Sequence, residues 1–219
     1  MKSIILIAPP AAGKGTQSEM ITKKYNIPSI STGDLLRDIV KEESDLGKLV
    51  KEKLDNGMLV EDEIVLEILK NRISQSDCAN GYILDGFPRT VNQAEKYDEI
   101  LSDLGLELGH VILLDIDKEI AKKRIVGRVS CPNCKSVFNE MFEETKPLNE
   151  GLCDHCNTAL VKRSDDNDET FDQRFNQYLE KTMPLIEFYK NKGVLREVNS
   201  GINKEYTFKS IEEILDGNN

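Results

Sequence analysis

The sequence predicts an α/β fold, a parallel sheet core flanked by helices and interrupted by two insertions, one small and helical, the other bearing cysteines. Three observations lead there. Apolar runs at 4–7, 81–85, 111–116 and 194–198 have the length of buried strands and alternate with stretches of helical periodicity, the pattern that builds parallel sheets. The first run feeds a turn rich in Pro, Ala and Gly and then a helix. From Val129 to about Ser164 the periodicity fails and two Cys-x-x-Cys pairs appear, which marks an inserted segment.

In chain order, the first strand, 4–7, precedes a helix from Lys14 to about Tyr25. Ser31-Thr32-Gly33-Asp34 opens a second helix carrying Leu35, Leu36, Ile39 and Val40, and a charged helical piece near 46–54 stops at Asn56-Gly57. After Val60, Ile64, Val65, Ile68 and Leu69 share a helical face; a strand then ends in the carboxylate of Asp85. Thr90 and Gln93 have the spacing of a capping box for the next helix. The strand at 111–116 runs to Asp117, placed to cap a helix with Ile120 and Ile125. Beyond the insertion, Phe171, Phe175, Tyr178, Leu179, Ile186 and Tyr189 follow helical spacing with a kink expected at Pro184, and a final strand and helix complete the core.

The chain has 219 residues, enough for one core with large insertions and no need of disulfides. Its 39 acidic and 29 basic side chains give a formal charge of −10, which excludes broad binding to nucleic acid or anionic membrane. An anionic ligand therefore needs a local arginine cluster. The five-residue apolar run after Met1-Lys2-Ser3 is too short for a signal-peptide core, and no stretch nears the ~20 apolar residues of a membrane span. A cytoplasmic monomer without structural disulfides is the expectation.

Ala8-Pro9-Pro10-Ala11-Ala12-Gly13-Lys14-Gly15-Thr16 lies between strand and helix, where backbone N–H groups and the helix dipole favour anionic oxygens. The segment reads as a phosphate-binding loop in which Lys14 completes a cradle for β and γ phosphates. The usual first glycine is Ala8, and Ala11 stands where the backbone calls for positive φ, at a cost of roughly 1–2 kcal/mol for a non-glycine residue. Such a site needs Mg²⁺, and Asp85, followed by Gly86-Phe87-Pro88-Arg89, is favoured over Asp115 and Asp117 to hold it or its waters. Arg124 and Arg128, four apart, are expected on one helical face, and Arg163 and Arg174 flank the far end of the insertion; such guanidinium forks suit phosphoryl transfer.

Cys131-Pro132-Asn133-Cys134 and Cys153-Asp154-His155-Cys156, separated by 18 residues, have the spacing of a closed four-thiolate site for structural Zn²⁺. Two redox dithiols are the alternative. His155 is expected beside the site, and His110 and Cys78 as packing or surface residues.

Taken together, Gly13-Lys14-Gly15-Thr16-Gln17, Ser31-Thr32-Gly33-Asp34-Leu35-Leu36-Arg37, Asp85-Gly86-Phe87-Pro88-Arg89-Thr90 and Arg124-Ile125-Val126-Gly127-Arg128 resemble the adenylate kinases over essentially the whole chain, with a lid segment similar to that of long-lid bacterial members. The resemblance implies a P-loop core (1–30, 61–127 and 165–219), an AMP-binding insertion (31–60), a zinc-binding lid (128–164) and reversible transfer from MgATP to AMP giving two ADP. It implies ATP contacts from Pro10, Ala11, Ala12, Gly13, Lys14, Gly15, Thr16, Arg124, Val137 and Ile202. AMP contacts are implied for Thr32, Arg37, Leu59, Val60, Gly86, Arg89, Gln93, Arg163 and Arg174. Catalytic roles are implied for Lys14, Asp85, Arg89, Arg124, Arg128, Arg163 and Arg174, and metal ligation for Cys131, Cys134, Cys153 and Cys156. The competing readings are a kinase for UMP or CMP, and a zinc-ribbon module that senses nucleotide through a degenerate phosphate loop.

Overall fold

A computed structural model describes residues 3–42, 44–56 and 58–217; Met1, Lys2 and Gly57 of the readings above lie outside the described residues. Five parallel strands, β1 (Ile4–Ile7), β2 (Ser29–Ser31), β3 (Ile83–Asp85), β4 (His110–Asp115) and β7 (Leu195–Asn199), form one sheet in the order β2-β3-β1-β4-β7. Two short antiparallel strands, β5 (Arg128–Ser130) and β6 (Val137–Asn139), form a second sheet inside the cysteine segment. The helices are α1 (Lys14–Tyr25), α2 (Thr32–Val40), α3 (Asp45–Asp55), α4 (Asp62–Ile73), α5 (Val91–Asp103), α6 (Lys118–Val126), α7 (Asp168–Gln177), α8 (Met183–Asn191) and α9 (Lys204–Leu215).

Alternation along the strands explains why helices cover both faces. Ile5, Ile7, Leu84, Val111 and Leu113 face a core built with α2, α3, α4, α5 and α8, whereas Ile4, Leu6, Ile83, Ile112 and Leu114 face α1, α6, α7 and α9. Each such fully buried Ile or Leu contributes roughly 1.5–3 kcal/mol relative to exposure, so the sheet is the rigid base of the molecule. Chain order and spatial order diverge around β1. The chain passes from β1 to β2 and β3 on one side and then to β4 on the other, which opens a crevice at the carboxyl ends of the strands. The register places Leu6 beside Asp85, and Ser31 also beside Asp85, so the loops after β1, β2 and β3 converge.

Several expectations are corrected here. Strand β2 lacks an apolar run, since Ser29 and Ser31 flank the buried Ile30, and its periodicity gave no sign of it. Arg124 and Arg128 do not share a helix: α6 ends at Val126, and Arg128 opens β5. Gly127 marks the boundary and has no room for a side chain, since a Cβ there would fall 2.4 Å from Asn139 Oδ1 and 2.6 Å from Met141 Cγ. Asn139 occupies that flank and donates to the Arg124 carbonyl, satisfying a helix-terminal acceptor. The capping box at Thr90 is half formed: Thr90 accepts from Gln93 N, but the Gln93 side chain accepts from Arg89 N instead of returning to Thr90. In place of one kinked helix, a π-helical stretch (Tyr178–Thr182) separates α7 from α8, where Pro184 sits in the first turn. The cysteine segment buries Val129 and Phe138 around Cys131 and Cys153. Among the described residues no helix is long and apolar enough to cross a membrane.

Candidate functional site

Among the α-helices of the described residues, α2, α3, α5, α6, α7 and α9 are capped by a Ser, Thr, Asp or Asn side chain; α1, α4 and α8 are not, and the first turn of α1 carries no acid. Its first N–H groups therefore offer donors and a positive dipole end to an outside acceptor. Gly13, at φ 90°, turns the chain into the helix. Ala11 also has positive φ, 62°, whereas Ala8 does not, so only one of the two alanines stands where glycine is favoured. Lys14 Nζ donates to the Ala8 carbonyl at 3.3 Å, which folds the side chain back over the loop. Substitution Ala11→Gly removes a left-handed penalty of about 1–2 kcal/mol and adds about 0.4–1 kcal/mol of unfolded-state entropy. The expected outcome is a thermal midpoint higher by about 1–3 °C; a fall in calorimetry would contradict the strain.

Across the crevice, Gly86 at φ 81° needs to lack a side chain, since a Cβ would approach Arg89 Nη2 at 3.0 Å and Thr32 Oγ1 at 3.2 Å. Its carbonyl accepts from Arg89 Nε at 2.8 Å and from Thr32 Oγ1 at 3.0 Å. The Arg89 backbone is held at both ends, its N–H by Gln93 Oε1 at 2.7 Å and its carbonyl by Thr182 Oγ1 at 3.0 Å. The guanidinium is thus presented by a turn fixed from three elements.

Other arginines rest on carboxylates. Arg128 makes a bidentate pair with Asp166, at 2.7 and 2.5 Å, and Asp166 is 1% exposed. Arg174 pairs with Asp165 at 3.1 Å and Arg37 with Asp34 at 2.6 Å. Arg124 donates to the Ser200 carbonyl at 3.0 Å, tying α6 to the loop before α9.

The cations outweigh their partners. Burial pushes Lys14 down to about 8; Asp85 opposes this, and Arg89, Arg174 and Arg128 add to it. Lys14 retains some solvent exposure, so the crowding concerns its ammonium. Burial and then Arg174 press Arg89 below the usual arginine range although one flank of the residue is exposed, and Arg174 is lowered by burial, with Arg128 and Arg163 adding to it. Burial also lowers Arg124. Arginine keeps its proton regardless, so the result is a focus of unneutralised positive charge in an acidic protein.

Two cavities meet there. An open cleft is lined by Pro10, Lys14, Leu59, Gly86, Arg89 and Arg174, together with Gln177, Tyr178 and Thr182. A second, smaller one is lined by Thr32, Leu36, Leu59, Val60, Gly86, Arg89 and Gln93, with Leu54 and Met58. Leu59, Gly86 and Arg89 belong to both. Arg37, Arg124, Arg128 and Arg163 line neither, and Val137 and Ile202 are exposed, at 53% and 52%. Asp85, half-buried at the end of β3 and electrostatically coupled to Lys14, offers the hard oxygen that suits a magnesium ion or its waters. Sequence reading missed Asp165, Asp166, Thr182 and Asp62. Only the buried pairing of Asp166 singles out that adjacent acid pair, and burial is not visible in an irregular segment.

Away from the cleft, Cys131, Cys134, Cys153 and Cys156 place all four Sγ atoms within 4.8 Å of one another. Cys131 and Cys156 are 3.4 Å apart and Cys134 and Cys153 3.5 Å. Tetrahedral zinc with bonds of about 2.3 Å spaces its sulfurs by roughly 3.8 Å, so the donor set fits that ion. His155 lies against Phe138, ring centroids 6.0 Å apart, and is outside the set. Each pair is built on the same turn: Cys131 N donates to Ser136 O and Cys153 N to Thr158 O, with Lys135 and Asn157 both at positive φ. Cys78 is buried against Arg72 and Asp77.

Residues 6–194 match the family described as adenylate kinase. The chain is 44% identical over 215 residues to the adenylate kinase of Geotalea daltonii, covering 98% of this chain and all of that protein. It is 44% identical to that of Oceanobacillus iheyensis (98% and 99% covered) and 47% identical to that of Caldicellulosiruptor saccharolyticus (88% of each). A match that runs through the sheet, both cavities and the cysteine segment, with relatives near half identical along almost its whole length, makes this chain a member of the adenylate kinase family.

Proposed function

We propose that the protein transfers the γ-phosphoryl group of MgATP to AMP, giving two ADP, and that it does so as a single chain. One observation carries the reading: two adjoining cavities meet at Gly86 and Arg89, beside an uncapped helix end and a lysine crowded by arginines. A site for one anion does not need that arrangement; a site that brings two mutually repelling phosphates together does.

In this reading the larger cleft takes the donor. The amides of Pro10 to Thr16 that carry hydrogen, with Lys14, hold β and γ oxygens; Arg124 stacks on the adenine, which also meets Val137 and the main chain at Ile202. The smaller cavity takes AMP between Thr32, Leu59, Val60, Gly86 and Gln93, with Arg37 and Arg89 on its phosphate. An AMP phosphate oxygen attacks the γ phosphorus as the bond to the β–γ bridging oxygen breaks, and the electron pair leaves on ADP. No base is required because the attacking oxygen is already anionic. Asp85 would hold the waters of a magnesium ion, which when bound would offset negative charge on the donor's phosphates. Arg128 and Arg174 exchange their carboxylate partners for phosphate oxygens, and Arg163 joins them, as segments 31–60 and 128–164 close over the core and exclude water. Zinc on the four cysteines would stiffen the second segment. Five unpaired cysteines support a reducing, cytoplasmic setting.

Formation of ADP from ATP with a panel of monophosphates tests this. AMP is expected to be the best acceptor; AMP among the poorest would favour a UMP or CMP kinase, and nucleotide binding without turnover would favour the sensing module.

Lys14 also makes the donor site pH-dependent. Its depressed pKa means that the free protein loses this proton near pH 8, while bound polyphosphate restores it. ATP binding at pH 8–9 should therefore take up a proton, and binding at pH 6.5 should not. Calorimetry in buffers of different ionisation enthalpy reads that uptake, and Lys14→Met should abolish it. In the absence of nucleotide the same shift opposes folding below about pH 8, and the opposition fades as pH rises toward 10.5.

A further inference from the structure

We propose that Asp62 is a specificity-positioning residue, which locks the side-chain amide of Gln93 in one orientation and thereby selects a 6-aminopurine over a 6-oxopurine in the acceptor cavity. The inference rests on the reading of Gln93 as the group that meets the acceptor base.

Gln93 lines the smaller cavity and is 3% exposed, so its amide has little contact with water. Its two ends meet opposite kinds of partner. Gln93 Nε2 donates to Asp62 Oδ1 at 2.6 Å, and Gln93 Oε1 accepts from the Arg89 N–H at 2.7 Å. An ionised carboxylate only accepts and a backbone N–H only donates, so rotating the amide by half a turn would set two acceptors and two donors face to face. A glutamine amide is otherwise nearly symmetric in shape and free to present either end. Asp62 is itself fixed in the first turn of α4, where Asn92 Nδ2 donates to its other oxygen at 2.7 Å.

The consequence follows from base chemistry. An amide has two donor hydrogens and two acceptor lone pairs, and each neighbour uses one, leaving one N–H and one lone pair for a ligand. At position 6 adenine donates through its amino group, whereas hypoxanthine or guanine accepts through a carbonyl. A glutamine pairing bidentately with adenine offers its oxygen to that amino group and its nitrogen to the neighbouring ring nitrogen. The 6-oxopurines require the two amide ends exchanged. A freely flipping Gln93 would serve both kinds of base; one held between Asp62 and Arg89 serves one.

Substitution Asp62→Asn keeps the shape and supplies an amide that either donates or accepts, so one of the two contacts that hold the Gln93 amide is released and only the Arg89 N–H still opposes the second orientation. The expected result is a rise of roughly 10-fold in the ratio of kcat/KM for IMP to that for AMP, expressed mainly in KM, with a modest loss for AMP. Asp62→Ala, which removes the acceptor without adding a donor, moves the ratio in the same direction by less and covers the case in which Asp62→Asn does not fold. A purely structural role for Asp62 would lower turnover of both substrates alike, and an unchanged ratio in folded variants overturns the proposal. Gln93→Leu separates this from the underlying reading. If it leaves the KM for AMP unchanged, Gln93 does not meet the base and the reading itself fails; if it raises that KM while Asp62→Asn leaves the ratio unmoved, only the lock is wrong.

Discussion

Replacing Lys14 by Met lowers kcat/KM for ATP by about 10²- to 10³-fold, the range seen when one preorganised charge partner of a transition state is removed. The folded state should survive and its thermal midpoint should not fall. Lys14 is held against the Ala8 carbonyl with its ammonium desolvated and crowded by Arg89, Arg174 and Arg128, so the free protein carries a penalty that the substitution relieves. Activity and stability therefore move in opposite directions, which separates this prediction from ordinary damage to the loop. Turnover within a few-fold of the parent would mean that the charge at the α1 N-terminus does not act on the transferred group.

The second large effect is on stability. Removing metal with a chelator, or changing Cys153 to Ser, should unfold the cysteine segment while the parallel sheet persists. The reason is the size of its core: Val129, Cys131, Phe138 and Cys153 are the buried members of that cluster, and two of the four are candidate ligands. Structural zinc contributes apparent energies of about 10–16 kcal/mol in small metal-dependent domains, far more than two apolar side chains supply. Amides of the turns at 131–136 and 153–158 should lose protection from hydrogen exchange, and the first thermal transition should drop by at least about 5 °C. Unchanged protection after complete metal removal, verified by elemental analysis, would show that the segment holds itself together without an ion.

How much of this was legible in the sequence depended on how local the signal was. The runs at 4–7 and 111–116 and the helix from Lys14 announced themselves because strand burial on both faces leaves continuous apolar stretches. The cysteine site was legible because ligand spacing is itself the constraint. Strand β2 was not, since a three-residue strand with one buried residue carries no period. Nor was the break between Arg124 and Arg128: the helix stops where Asn139, from another strand, leaves room only for glycine, a fact of packing and not of propensity. Gln93 illustrates the same limit, because its spacing to Thr90 suggested a local cap while its amide is engaged by Arg89 and by Asp62, 31 positions away. Local chemistry could be read in advance; pairings across elements needed coordinates.

In the proposed reaction one chain gathers two nucleotides at once around Arg89. Calorimetry with a bisubstrate mimic, two adenosines joined through a polyphosphate long enough to span both cavities, tests it most directly. One mimic per chain is expected, bound at least about 100-fold more tightly than ATP or AMP alone, with a large loss of that advantage in Arg89→Ala. An affinity no greater than that of ATP by itself would contradict it.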